Sequence, residues 1–339
     1  MNTNNVASTN KLTDLNILAG WLKQLGIAAL YLSLGIIIHR YFTNNGVVSA
    51  GWPGSGLALA ALLIGGRRYI WGILFGALLL NIHANDSLWT ACGVTLASIL
   101  EALLGTWLLR NNQPALYLHT LADYLRLIVL GGGVASIVGA IIGSLSLLLA
   151  DFITPAEYFG NALYWWMGDT LGVVLVTPFI LAVWQAKYSQ FSTKQMLEGP
   201  LLIGITFIAG QMIFLGWFHE NLSDAPKGYI MFLCVAWVSI RLGEHGTTFV
   251  LLMIAIQALW GANQGTGFFA NDIATTNLRN YWFYMLILSV VGMILTTYVN
   301  KIKQALAALE LKDNALNAAA NGIIITNIDG RIEWANQAF

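Results

Sequence analysis

The chain has 339 residues, zero formal net charge and a mean hydropathy of +0.68; 57% of its residues are hydrophobic and 9% are charged. Soluble domains carry about 25% charged residues, so this composition excludes an ordinary water-facing surface and selects lipid as the solvent. The balanced charge excludes a nucleic-acid partner of the usual basic kind, and the two cysteines, Cys92 and Cys234, are too few and too separated for a disulfide framework or a zinc site.

Residues 1–19 form a polar start without the pattern of a cleaved signal peptide, so the first apolar segment reads as an uncleaved membrane helix. Apolar stretches then follow at 20–40, 52–66, 68–83, 88–110, 121–150, 158–184, 198–217, 228–243, 246–262 and 281–300. A spanning helix needs about 20 residues, so the expectation is an all-α polytopic membrane protein of about ten transmembrane helices. The segments 52–66 and 68–83 are short, and 121–150 is long enough to tilt or kink. With ten spans and a cytoplasmic N-terminus, 13 of the 16 Lys and Arg residues fall inside, and only Arg40, Lys227 and Arg279 fall outside. That asymmetry predicts an inner-membrane protein with both termini cytoplasmic.

The second span opens on Trp52-Pro53-Gly54-Ser55-Gly56. Proline in a first helical turn loses no needed hydrogen bond, and the glycines permit close approach of another backbone or a ligand. Two acids lie deep in apolar runs, Glu101 and Asp169. Ionisable groups in lipid are expensive and mark functional sites, so both are candidate sensing residues; the structural alternative is an ion pair, such as Glu101 with Arg126. Trp165 and Trp166 precede Gly168 and Asp169, and two aromatic faces beside a carboxylate suit a cationic or polar ligand, with lipid-facing tryptophans as the plainer reading. Gly172 follows, and Pro178 is expected to kink this helix. Arg126 and Arg241 read as topology anchors or ligand contacts near cytoplasmic helix ends. Gly265-Thr266-Gly267-Phe268-Phe269 lies in an outer loop, 263–280, long enough for a lid or binding loop. His39, His83 and His219 fall near the outer face, but scattered interfacial histidines do not make a metal site. No phosphate-binding loop, HExxH or GxSxG occurs, so no catalytic residue or cofactor is assigned.

After Asn300 the texture changes. Val299, Ile302, Leu306, Leu309 and Leu316 follow a short heptad pattern, with Asp313 at one seam position, which predicts a helical linker over 301–317 and a homodimer through it. Beyond Gly322, Ile323–Ile325, the Asp329-Gly330 turn and Arg331–Trp334 give a hairpin signal. A lone hairpin is marginally stable, so residues 318–339 read as the opening of a domain that continues elsewhere.

The run from Trp52 to Ile82 resembles the membrane-associated sensor family MASE type one. Ala97–Arg110, Trp165–Pro178, Trp237–Gly246 (which includes Gly243) and Gly265–Phe269 are similar to further segments in the family's order, so that the resemblance covers about residues 20–300. The tail Asn317–Phe339 is similar to the start of an α/β PAS domain. The resemblance implies a bacterial sensory input module, which receives an unknown small-molecule or protein stimulus. Its linker would drive a cytoplasmic PAS and an effector: a diguanylate cyclase, a cyclic-di-GMP phosphodiesterase or a histidine kinase. A secondary transporter and a simple membrane anchor for a dimeric enzyme are the competing expectations; the absence of a recognisable internal repeat counts against the transporter.

Overall fold

The computed structural model describes residues 3–42, 51–84, 87–110, 120–186, 193–217 and 227–339. Its long elements are α1 (Thr3–Tyr41), α2 (Pro53–Gly65), α3 (Ile70–Ala84), α4 (Leu88–Arg110), α5 (Leu121–Arg126), α6 (Ser136–Leu149), α7 (Tyr158–Ala186), α8 (Thr193–Phe214) and α9 (Lys227–Gln264). A short α10 (Asp272–Thr276) and the long α11 (Arg279–Asn317) follow. Leu127–Ala135 is a π-helical turn that joins α5 to α6. Among the described residues, eight helices are long and apolar enough to cross a membrane. Large apolar side chains such as Trp89, Leu149, Phe159 and Leu233 lie exposed on the outside, the inverse of a soluble protein.

Eight is smaller than the expected ten because two pairs of expected spans run on without a gap, and each pair counts as one long helix. The joints are Gly66 (φ 68°, ψ −163°) and Gly243 (φ 66°, ψ −150°), each in a backbone region open to glycine alone. At 13 and 15 residues, α2 and α3 reach about 20 Å each, short of a hydrocarbon core of about 30 Å.

Packing directions show that the chain reverses at both glycines. Gly243 faces Asn300, and Ser239 Oγ lies 3.2 Å from the Gly292 carbonyl, so the first half of α9 runs parallel to α11. Past the break, Thr247 meets Thr296 and Tyr281 reaches the Ala255 carbonyl, so the second half runs antiparallel. In the same way α2 runs parallel to α4 (Leu59 on Gly105, the Leu63 carbonyl bound by Arg110) before Gly66. After it, α3 runs parallel to α1 (Gly72 on Gln24, Gly76 on Ala28).

Four helices therefore recur. In the first unit α1 packs on α3, and α2 and α3 pack on α4; in the second, α8 packs on the latter half of α9, and both halves of α9 pack on α11. Arg110 lies beside Gly66 as Asn300 lies beside Gly243. An internal repeat, which the sequence did not reveal, is present in the packing. α5, the π-turn, α6 and α7 lie between the units in the chain, and α7 touches both. Phe179 meets Phe249, and the Ala182 backbone meets His245, so the two glycine breaks lie at one end of the bundle, where α11 leaves it.

α7 continues through Pro178 as one helix. α11 continues as one helix to Asn317, with Ile302, Leu306, Leu309 and Leu316 exposed along the expected linker. The tail forms an antiparallel hairpin, β1 (Ile324–Thr326) and β2 (Ile332–Ala335), in which Ile325 faces Trp334. Asn336 fastens it to the helix: Oδ1 accepts from the Ile323 amide at 2.8 Å, and Nδ2 donates to the Leu316 and Asn321 carbonyls at 3.1 and 2.9 Å.

Candidate functional site

The site begins with the start of α2. The Trp52 amide donates to the Gly168 carbonyl of α7 at 2.9 Å, and Thr177 on α7 donates to the Gly56 carbonyl at 3.0 Å. Gly56 and Gly172 let these backbones touch: a side chain at Gly56 would meet the Gly172 carbonyl, and one at Gly172 the Trp52 carbonyl. Pro53 at the first turn leaves no amide stranded. Gly54 leaves room for the rings of Trp52 and Tyr31.

This close approach carries Ser55 to Asp169. Its Oγ lies 2.8 Å from Asp169 Oδ1 and 3.2 Å from Glu101 Oε2 on α4. From the other side Ser136, the first residue of α6, donates to Glu101 Oε1 at 2.7 Å. Asp169 is 1% exposed and Glu101 4%. Asp169 Oδ2 makes no hydrogen bond of good geometry; Glu101 and Trp165 are its polar neighbours. Among the described residues no Lys, Arg or His pairs with either carboxyl group, and Tyr31 of α1 is the nearby titratable side chain. The centre is thus two carboxyls and two hydroxyls in a buried, tightly packed place.

The π-turn shapes one wall. Its glycine carbonyls take side-chain donors: Thr170 Oγ1 to Gly132 at 2.8 Å and Trp166 Nε1 to Gly133 at 3.0 Å. Such turns free carbonyls from the helical ladder and recur at functional sites.

The other expected site residues fall in several places. Trp165 lies against Gly143 of α6, whereas Trp166 lies against Trp282 of α11 with ring centroids 5.5 Å apart, so the two rings face different neighbours. Trp282 Nε1 donates to the Met167 carbonyl at 2.9 Å, two residues before Asp169. Arg126 is exposed and Glu101 is not, which removes the ion pair between them. Arg241, remote from the centre, forms a bidentate pair with Glu198, with contacts of 2.5–2.9 Å. Gly265 and Gly267 belong to a packed turn instead of an open lid: Phe269 is 3% exposed and stacks on Phe214, and Asp272 Oδ2 accepts from the Tyr281 amide at 2.9 Å, tying the segment to the start of α11. His219 lies outside the described residues; among those described, no group of acids, histidines and cysteines is arranged to hold a metal.

Ser55 and Ser136 were not recognised in the sequence. Single serines in apolar runs look like filler, and the usable signal was a hydroxyl in a helix with no other polar group to satisfy. The MASE1 family model matches residues 21–301. No curated protein and no solved structure matches the chain.

Proposed function

The chain belongs to the MASE1 family of membrane-associated sensor domains, and from that premise we propose that its input is read at the Ser55–Glu101–Asp169–Ser136 centre and leaves along α11. One observation carries this reading: the Trp282 indole binds the Met167 carbonyl at 2.9 Å, so the output helix is tied to α7 within a turn of Asp169. A rearrangement of the carboxyl pair shifts α7 against α2, and Trp282 transmits that shift to a helix that continues unbroken to the Asn336 knot. Such a device responds only to a ligand with different affinity for two packings.

In this proposal the end holding Gly66, Gly243 and Lys303 faces the cytoplasm of a bacterial cell, at the inner membrane. Lys23, Arg67, Arg68, Arg110, Arg241 and Lys301 belong to the same side by the charge asymmetry. The exposed Ile302, Leu306 and Leu309 form the seam of a homodimer, and the hairpin is the start of a PAS domain that passes the signal to a cyclase, phosphodiesterase or kinase.

The test is disulfide cross-linking at Ile302→Cys and Leu309→Cys in native membranes, with Cys92 and Cys234 replaced by alanine. Asp169→Asn or Trp282→Phe is expected to change the cross-linking rate several-fold. Unchanged rates in both backgrounds sink this route.

The recurring four-helix unit favours a second reading, a transporter, because transporters are commonly built from repeated units. Asp169-dependent solute uptake into proteoliposomes would select it.

A further inference from the structure

We propose that the Glu101–Asp169 pair is a proton site, so that the input of this module is a proton. This rests on the reading of the centre as the input, and names its ligand.

The first ground is a count of hydrogens. Ser55 Oγ lies within hydrogen-bond distance of both Asp169 Oδ1 and Glu101 Oε2, but a hydroxyl has one hydrogen to give. If Ser55 donates to one carboxylate, its contact with the other needs a hydrogen on that carboxyl. Ser136 does not fill the deficit, because its hydrogen goes to the far oxygen, Glu101 Oε1, at 2.7 Å. The arrangement closes as a hydrogen-bonded chain only when a proton sits on the pair.

The second ground is charge. Two buried carboxylates within reach of one hydroxyl, with no basic partner among the described residues, repel each other where little screens them. Among the described residues the groups facing the pair are Tyr31 from α1, Ser55 from α2, Ser136 and Gly139 from α6 and Trp165 from α7; none brings a positive charge.

The third ground is space. A Cβ on Gly139 would lie 2.7 Å from Glu101 Oε2, so α6 closes over the pair. The apolar cavity nearby, between α1, α2, α7 and α9, is lined by neither acid. Asp169 is 1% exposed and no hydrogen bond of good geometry reaches its Oδ2, so loss of the proton leaves a second buried anion beside the first with no positive charge to balance it. The α2–α7 contact, held by the Trp52 amide on the Gly168 carbonyl, is the joint that must then give.

Infrared difference spectra between acidic and alkaline buffer test this on the full chain in lipid nanodiscs, in choline chloride and in sodium chloride. The expected result is a carboxylic-acid C=O band lost on alkalinisation, matched by release of about one proton per chain more than the double variant releases. Glu101→Gln, Asp169→Asn and their combination should remove or shift that band, and sodium at constant pH should not. Wild-type protein carrying carbon-13 in its Asp carboxyls alone, or in its Glu carboxyls alone, shows which residue type gives the band where a variant does not fold. The proposal is overturned by the absence of such a band, by its persistence in the double variant, or by its loss to sodium alone, which would make the pair a cation site. A titrating pair with cross-linking insensitive to pH keeps the proton site and removes the sensor route; pH-sensitive cross-linking without a titrating pair does the reverse.

Discussion

In the second four-helix unit, Ser239 on the first half of α9, Thr247 on the second half and Thr296 on α11 meet in a buried hydroxyl cluster. Ser239 gives its hydrogen to the Val235 carbonyl at 2.7 Å, Thr247 lies 2.7 Å from the Gly243 carbonyl, and Thr247 and Thr296 are 2.9 Å apart. In the first unit the corresponding helices, α2 and α4, bring together Ser55 and Glu101, and α7 adds Asp169. Ser239 lies one turn from its glycine break, and Ser55 about three turns from its own. The hydroxyl cluster finds acceptors in backbone carbonyls and carries no charge, so it acts as a joint. The carboxyl cluster has more acceptors than hydrogens, so it needs a ligand. The same packing thus yields a static contact near the exit of α11 and an incomplete one deep in the other unit.

The most severe test of this comparison is at the two breaks. Gly66→Ala and Gly243→Ala each place a Cβ in ordinary van der Waals contact, 3.6 Å from Arg110 and 3.7 Å from Asn300, so the cost is backbone strain alone. We expect each to destabilise by about 1–3 kcal/mol, with nearly equal falls in thermal midpoint measured in the same lipid. Tolerance of alanine at either position would show that the two breaks are not equivalent.

A smaller contrast is expected inside the units. Ser136→Ala strands Glu101 Oε1 and should cost about 1–3 kcal/mol, whereas Thr247→Val leaves Ser239 with its carbonyl and should cost about 1 kcal/mol. Ser136→Ala should also change cross-linking at Leu309→Cys. Equal effects of the two substitutions on both readouts would erase the distinction between site and joint.

Much of the architecture was legible because lipid imposes a simple rule on composition, and the apolar runs fall on the helices. Gly66 and Gly243 already marked ends of expected segments. The repeat was hidden because the residues around the breaks differ, Gly-Gly-Arg-Arg-Tyr at 65–69 against Leu-Gly-Glu-His-Gly at 242–246; only helix lengths and partners are shared. Glu101 and Asp169 each stood out alone. Their pairing did not, because 68 residues separate them and Ser55 and Ser136 carry no signal in isolation. The π-turn was likewise read as mere excess length in 121–150. Asn336 carried no signal of its own, because its contacts are local hydrogen bonds between the hairpin and the end of α11.

The smallest expected effect concerns the ends of the units. Arg110 reaches the Leu63 carbonyl within its own unit at 2.6 Å, while Arg241 grips Glu198 with side chains 38% and 31% exposed. Solvent screens the second pair, so Arg241→Ala should cost less than about 1 kcal/mol, shrinking further as salt is raised. Arg110→Ala leaves a carbonyl next to the Gly66 break without that donor and should cost more, with little salt dependence. Thermal midpoints of both variants at low and high salt check the order. A large, salt-independent loss at Arg241 would mean that the second unit, and not the first, depends on its charged end, and the division between a polar centre in one unit and a passive joint in the other would have to be redrawn.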